Sequence, residues 1–350
     1  MTRTTIAASE LRALLEAGKG VTVVDIRRLN DRDWTIPGAI EVDAYDAVNA
    51  GSLGALSAAT LESTPVVTVC GVGRTAGRAT ELLRAQGVNA LTLEGGMQAW
   101  STAWNTADMT VGDCEVVQVR RTGKGCLSYI VASEGEAIVI DPSVDPDVYA
   151  NLLAARDWTL VAVTDTHLHA DHFSRSRRLA SITRARLFSP GADGIRFGRA
   201  ELIARRTAGH SPESTTYLLT GRAAFTGDTV FIDGVGRPDL RGGMPETISN
   251  AAALYRSVQA LLELPPSVLV LPGHTSAPVP FDGVVLAATI EAVRLLPVLT
   301  VSESEFVAAI TRNLPSPPPN HARIFDANQR GEWPDDADVL EAGPNRCAVA

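Results

Sequence analysis

The sequence predicts an α/β chain of two successive domains, the first built on a parallel sheet and the second on a mixed one, closed by a proline-rich C-terminal extension. Three observations predict it. The chain has 350 residues, enough for two cores, since single domains tend to close at roughly 100–200 residues. Short apolar runs alternate with a helical pattern through the N-terminal part. A second rhythm, of closely spaced apolar runs separated by glycine turns, begins after residue 112.

Residues 21–25 (VTVVD), 65–70 (PVVTVC) and 90–93 (ALTL) read as strands, and RTAGRATELLRAQG between the last two reads as a helix. Strand, helix, strand in that order predicts a parallel sheet, with Pro37-Gly38 and Gly95-Gly96 as turns. The chain becomes polar and aperiodic around residues 103–112, so the boundary is placed near residue 108, with domains over 1–107 and 111–290. EVVQVRR, CLSYIVA and EAIVID then predict antiparallel strands. From Trp158 onward, strand and helix patterns alternate again, as in TLVAVTDT followed by SRSRRLASI. The extension, residues 291–350, contains NLPSPPPNHARIFDANQRG, with four prolines inside five residues. Proline suits neither a helix interior nor a central strand, so an extended arm is expected, then a loose tail over the last dozen residues.

A net charge of −9, from 31 Lys and Arg against 40 Asp and Glu, argues against a nucleic-acid surface, which needs clustered cations facing phosphate. No stretch approaches the roughly 18 apolar residues of a membrane span, and no apolar run follows the first arginine, so a cytoplasmic enzyme without a membrane partner is expected. A homo-oligomer is left open. Cys70, Cys114, Cys126 and Cys347 sit at irregular spacing without a CxxC pair, so neither a disulfide framework nor a structural zinc knot is expected. Five of the six histidines fall in motifs, and that economy points at a metal.

Cys70 ends an apolar strand and opens CGVGRT, at the start of a helical pattern. Loop amides and the positive end of a helix dipole converge on such a position and favour an anionic sulfur. Arg74 adds a full charge, and Gly71 and Gly73 let the loop curl so that amides face the sulfur. This cradle suits a persulfide or a phosphate. VVDIR (23–27), IPGAI (36–40), CGVGRT (70–75) and GGMQAW (95–100) resemble, in order, four signatures of the rhodanese family. That resemblance implies Cys70 as sulfur acceptor, with Arg74 and the loop residues Gly71, Val72, Gly73 and Thr75 holding the persulfide. Trp34-Thr35 departs from the usual Gly-His, a change that bears on packing. The loop is also shorter than that of related phosphatases, which favours sulfur.

TDTHLHADH sets His167, His169, Asp171 and His172 directly after the apolar strand VAV. Alternation in an extended loop puts His167 and His169 on one side with Asp171, and His172 turns back as a helix begins. His210 in AGHSPES, Asp228 in FTGDTVF and His274 in LPGH complete a ligand set. The pattern resembles the metallo-β-lactamase superfamily over residues 111 to about 290, which implies an αββα sandwich. The set could hold two zinc ions bridged by water, as in thioester hydrolases of the glyoxalase II type. It could also hold one Fe(II), since two histidines and a carboxylate leave positions open on iron.

GKGCLSYIV (123–131), GVGRPDL (234–240) and PPPNHARIFDAN are similar to features of the persulfide dioxygenases. That resemblance implies one Fe(II) per chain on His167, His210 and Asp228. His169, Asp171, His172 and His274 then form a supporting shell or a second metal site. The implied reaction oxidises a thiol persulfide with O2 to sulfite and thiol, coupled to exchange of persulfide, thiosulfate or sulfite at Cys70. Tyr129 and Arg237 are expected to contact substrate, and Cys126 to be wall. The rival reading is a dinuclear zinc thioester hydrolase with an accessory rhodanese domain.

Overall fold

The computed structural model describes residues 3–58, 65–312 and 314–349. Five strands, Thr5–Ile6, Thr22–Asp25, Ile40–Glu41, Val66–Val69 and Ala90–Leu93, form one parallel sheet in the order first, fifth, fourth, second, third. The three longer strands lie where the apolar runs predict them. The two edge strands have two residues each, too short to leave a periodic signature. The helix Arg74–Ala85 buries Ala76, Ala79 and Leu83, which pack with Val24 and Val66 of the sheet. Strand Val66–Val69 and this helix meet end to end, so Cys70 sits at the carboxyl edge of a parallel sheet, where α/β folds place their sites.

The second domain is an αββα sandwich. One sheet runs Asn105–Val111, Cys114–Arg121, Cys126–Ser133, Glu136–Ile140, Thr159–Thr164 and Arg186–Phe188, its first four strands antiparallel and its last two added in parallel. The facing sheet contains Ala200–Arg206, Thr215–Leu219, Ala223–Gly227 and Leu269–Pro272, with Ile195–Phe197 and Ala288–Thr289 at its edges. Val116, Tyr129, Val131 and Ile138 meet Leu202, Tyr217, Phe225 and Leu271 between the sheets. Val117, Ile130 and Val139, on the opposite face of the same strands, pack under Tyr149 and Leu153 of helix Pro146–Ala154 and Leu179 of helix Ser176–Thr183. Helix Met244–Leu262 covers the second sheet. Both faces of the central strands are thus buried, which explains their continuous apolar composition.

Strand Asn105–Val111 pairs along its whole length with Cys114–Arg121, so the second sheet starts within the stretch read as a boundary. The expected loose tail is ordered instead. Ala348–Val349 pairs with Val235–Gly236, Cys347 is buried, and the Asn345 amide donates to Thr275 O at 2.9 Å. These partners lie far away in sequence, so the tail's own residues carry no periodic sign of them. The proline arm is held by Arg237, which donates to Pro315 O and Ser316 O.

The domains meet through polar, closely fitted contacts. Trp34 is buried, and its indole N–H donates to Thr122 O at 2.8 Å, so the departure from the rhodanese signature serves the seam. A Cβ at Gly123 would lie 1.8 Å from Trp100 O, leaving room for glycine only. Among the described residues, no helix is long and apolar enough to cross a membrane.

Candidate functional site

The loop opened by Cys70 follows strand Val66–Val69 and leads into helix Arg74–Ala85, as its motif predicts. Cys70 is 2% exposed, and its Sγ accepts from Ala76 N at 3.4 Å. Met97 N donates to Cys70 O and Gln98 N to Gly71 O, so the first turn of helix Gly96–Trp100 holds the loop's carbonyls. Gly96 is indispensable to this contact, because a Cβ there would lie 2.2 Å from Cys70 O and 2.7 Å from Gly73 N. A cavity of about 330 Å3 opens over Cys70, lined by Gly71, Val72, Arg74 and Thr75. Gly73, at φ +87°, does not line it; a Cβ there would lie 3.2 Å from Gly95 N. Arg78, which the sequence reading passed over, also lines the cavity and bonds Asn49 Oδ1 at 3.0 Å. Its i+4 spacing from Arg74 was the available signal.

The metal motif separates into distinct groups. His167, His210 and Asp228 converge, with His167 Nε2 at 3.8 Å and His210 Nε2 at 3.6 Å from Asp228 Oδ2. All three are buried, and His167 Nε2 and Asp228 Oδ2 have no hydrogen-bond partner. The outer nitrogens fix the tautomers. His210 Nδ1 donates to Arg237 O at 2.9 Å. Thr166 Oγ1 gives its hydrogen to Asp141 Oδ2 and therefore accepts from His167 Nδ1 at 2.9 Å. Burial, with the neighbouring charge of His169, holds His167 well below the usual imidazole range, and burial lowers His210. Two neutral imidazole lone pairs and one carboxylate oxygen thus face one point, a donor set that fits a single divalent metal.

His274 is placed differently. Its Nδ1 donates to Asp228 Oδ1 at 2.6 Å and its Nε2 to Asp171 Oδ2 at 3.0 Å. Burial alone would lower it, but the Asp228 and Asp171 carboxylates outweigh burial and raise it well above the usual range. Through Nδ1 it orients the Asp228 carboxylate. His169 lies beside His167, ring centroids 4.2 Å apart, but turns Nε2 to Asp141 Oδ1 at 3.2 Å; here too burial is outweighed by Asp141 and Asp165, and the imidazole is raised. His172 Nδ1 meets Asp171 Oδ1 at 3.0 Å, and the helix after it starts only at Ser176. Cys126 joins Asp171, His172 and His274 as a second group with metal-ligand spacing. Burial and Asp171 push its thiol up, and His172 and His274 outweigh them, bringing it down to about 6.

Asp141 was absent from the sequence reading, yet it holds Thr166 N at 2.6 Å, Thr166 Oγ1 at 2.8 Å and His169. Its signal was the strand EAIVID, which pairs in parallel with the strand leading into the histidine motif. The two expected substrate contacts are placed in the framework. Tyr129 is 1% exposed and donates to Pro272 O at 2.6 Å. All five guanidinium donors of Arg237 are taken, by Asp239 and by the carbonyls of Pro315, Ser316 and Arg346. The surface that does approach the candidate ligand group is a cavity of about 410 Å3 lined by His167, His169, Arg177, Arg178, Glu213 and Trp333. Asn328 of the extension also lines it, and its amide donates to His169 O and His172 O at 2.8 Å each.

Residues 7–103 match the Rhodanese-like domain family, and residues 121–212 and 187–274 match the Metallo-beta-lactamase superfamily. The chain is 34% identical over 199 residues to the mitochondrial persulfide dioxygenase ETHE1 of Homo sapiens, covering 52% of this chain and 74% of that one. It is 33% identical over 146 residues to a hydroxyacylglutathione hydrolase of Anaeromyxobacter dehalogenans (strain 2CP-C), covering 38% and 56%. The crystal structure of ETHE1 from Myxococcus xanthus superposes with a TM-score of 0.53 at 27% identity, covering 65% of this chain and all of that one. The chain therefore belongs to the persulfide dioxygenase family of the metallo-β-lactamase superfamily, with a rhodanese-like domain preceding the metallo-β-lactamase one.

Proposed function

We propose that the chain oxidises a low-molecular-weight thiol persulfide with O2 to sulfite and thiol, at one iron(II) held by His167, His210 and Asp228, and that Cys70 carries sulfur between thiosulfate or a persulfide and a thiol acceptor. The observation that carries this reading is the division of labour among the histidines. Unpartnered atoms of His167 and Asp228 converge with His210 Nε2, while His274 spends both nitrogens on carboxylates. Iron(II), when bound, supplies the open positions and the one-electron chemistry that dioxygen requires. The chain's residues set the conditions. Arg237 O and Thr166 Oγ1 fix the two imidazoles, His274 fixes the carboxylate, and the adjoining cavity, lined by Arg177 and Arg178 as well as Asp165, Glu213 and Glu332, gives a substrate access to His167. In the first domain, loop amides and Arg74 hold the anionic outer sulfur on Cys70.

The rival hydrolase reading draws on the Cys126, Asp171, His172 and His274 group and on the similarity to hydroxyacylglutathione hydrolase. Anaerobic purification with metal analysis, followed by O2 uptake on glutathione persulfide and hydrolysis assays on a glutathione thioester, separates the two. About one iron per chain with O2-dependent sulfite formation is expected. About two zinc per chain with thioester hydrolysis and no O2 uptake would overturn the proposal.

A further inference from the structure

We infer that Arg78 is a specificity-determining residue of the Cys70 cavity, and that with Arg74 it selects a sulfur donor whose leaving group is a small dianion, thiosulfate in preference to an organic persulfide. The inference rests on the sulfur-carrier role proposed above for Cys70 and names its preferred donor.

The wall of this cavity is one-sided in charge. Tyr45, Asn49, Val72 and Thr75 line it together with Arg74 and Arg78, and no carboxylate does so among the described residues. In a chain with 40 Asp and Glu against 31 Lys and Arg, a mouth holding two arginines and no acid runs against the composition of the whole. Both arginines are exposed, so a solute entering the cavity can meet them.

Nearby acids are engaged elsewhere. Asp46, next to Tyr45, pairs with Arg28 at 2.5 Å. Glu81 and Glu94 line a neighbouring cavity that Arg74 also borders and Arg78 does not. The Arg74 side chain makes no hydrogen bond or ion pair among the described residues. Arg78 donates through Nη1 to Asn49 Oδ1 at 3.0 Å, and Thr75 Oγ1 donates to the same oxygen at 3.5 Å. A neutral amide thus aims the guanidinium without cancelling its charge. Arg74 and Arg78 also stand four apart on helix Arg74–Ala85, a spacing at which like charges repel. Helix stability gives no reason for the pair.

Sulfur chemistry gives one. In loading from thiosulfate, the Cys70 thiolate attacks the outer sulfur, a new S–S bond forms, the old one breaks, and sulfite leaves with the bonding electron pair. Cys70 keeps one negative charge on the persulfide and sulfite carries two, so charge balances without an oxidant, reductant or proton. The departing charge spreads over three oxygens, an arrangement that two guanidinium forks can hold together. An organic persulfide instead releases a thiolate, with a single charge on sulfur and no oxygens there for a second arginine.

The full-length chain and its Arg78→Ala and Arg78→Lys variants would be mixed anaerobically with thiosulfate or with the persulfide of 2-mercaptoethanol, which bears no other charge. The gain of one sulfur atom on the Cys70 peptide would be followed by mass spectrometry against donor concentration. Arg78→Ala should raise the half-saturating thiosulfate concentration at least about tenfold, in line with the loss of a charge-assisted hydrogen bond. Its preference for thiosulfate over the persulfide should fall by a similar factor, and Arg78→Lys should recover part of it. Added salt should weaken thiosulfate loading more in the wild-type chain than in Arg78→Ala. An unmoved half-saturating concentration, or an equal loss with both donors, would overturn the inference while leaving Cys70 as a carrier. If neither donor loaded wild-type Cys70, the carrier role itself would fall, and this inference with it.

Discussion

Replacing Glu341 by Gln probes how the C-terminal extension secures the metal domain. Glu341 is 1% exposed. It accepts from Phe173 N at 2.8 Å and from Arg175 at 2.8 and 2.5 Å, and lies 2.7 Å from Arg121 Nη1. Phe173 directly follows the His172 loop, so this carboxylate ties the extension to the histidine motif. Gln preserves the shape but removes the charge and turns an amide N–H toward guanidinium groups. Leaving buried charges without their partner costs about 3–5 kcal/mol. At roughly 2–4 °C per kcal/mol for a unit of this size, the melting transition should fall by on the order of 10 °C. The pH dependence has a definite sign. Burial alone would raise Glu341, but Arg121 and Arg175 outweigh it and hold the carboxyl well below its ordinary value. The stabilisation is therefore complete above the unfolded carboxyl value of about 4.3 and is lost as pH falls through the lower folded value. Melting curves of both proteins at pH 7 and through the acid range should show a wide gap that narrows below about pH 4. Equal melting temperatures at pH 7, with equal metal retention on dialysis, would refute the reasoning.

Other outcomes follow from the same geometry. His274→Ala should keep measurable iron while losing about 10- to 100-fold in affinity or activity, whereas His210→Ala should lose the metal; complete metal loss from His274→Ala, read by elemental analysis, would favour a dinuclear centre. Gly96→Ala should abolish sulfur transfer at Cys70 and leave persulfide-dependent O2 uptake near wild type, since the three atoms nearest its Cβ, Cys70 O, Gly73 N and Gly71 C, all belong to the Cys70 loop. Thiosulfate plus a thiol should support O2 uptake in the wild-type protein but not in Cys70→Ser, which should still respond to a pre-formed persulfide; normal uptake by Cys70→Ser on thiosulfate plus thiol would sink the coupled scheme.

The sequence was most legible where chemistry and local structure coincide. CGVGRT had to follow a strand and open a helix, and it does; the amide that reaches the Cys70 sulfur is that of Ala76, one residue past the motif. His167, His210 and Asp228 each close an apolar strand or lie beside one, and strands of one sandwich bring their ends together. Illegible parts depend on contacts between distant segments. Nothing local to NRCAVA reports that Ala348–Val349 will pair with Val235–Gly236. Nothing local to Asn328 reports that it will clamp the carbonyls of His169 and His172. Arg237 shows the converse error. An arginine in a motif beside a metal ligand reads as a substrate contact, but its five donors bind the chain's own carbonyls and Asp239, a use visible only once the extension is in place.

The two candidate centres open into different cavities. The one over Cys70 and the one beside His167 have no lining residue in common. The seam between them gives little scope for one domain to swing toward the other: Gly123 is pressed against Trp100 O, Trp34 is bonded to Thr122 O, and Arg121 reaches across to Ser101 O. A loaded Cys70 persulfide fixed in its cradle is thus poorly placed to deliver sulfur to the metal group directly. Under the proposed function, sulfur has to leave Cys70 on a thiol that dissociates and then enters the metal-side cavity. Fusion then contributes a raised local concentration of that intermediate rather than a closed channel. The advantage should shrink as the free thiol carrier is made abundant, because a saturating pool of persulfide in solution no longer depends on where it was formed.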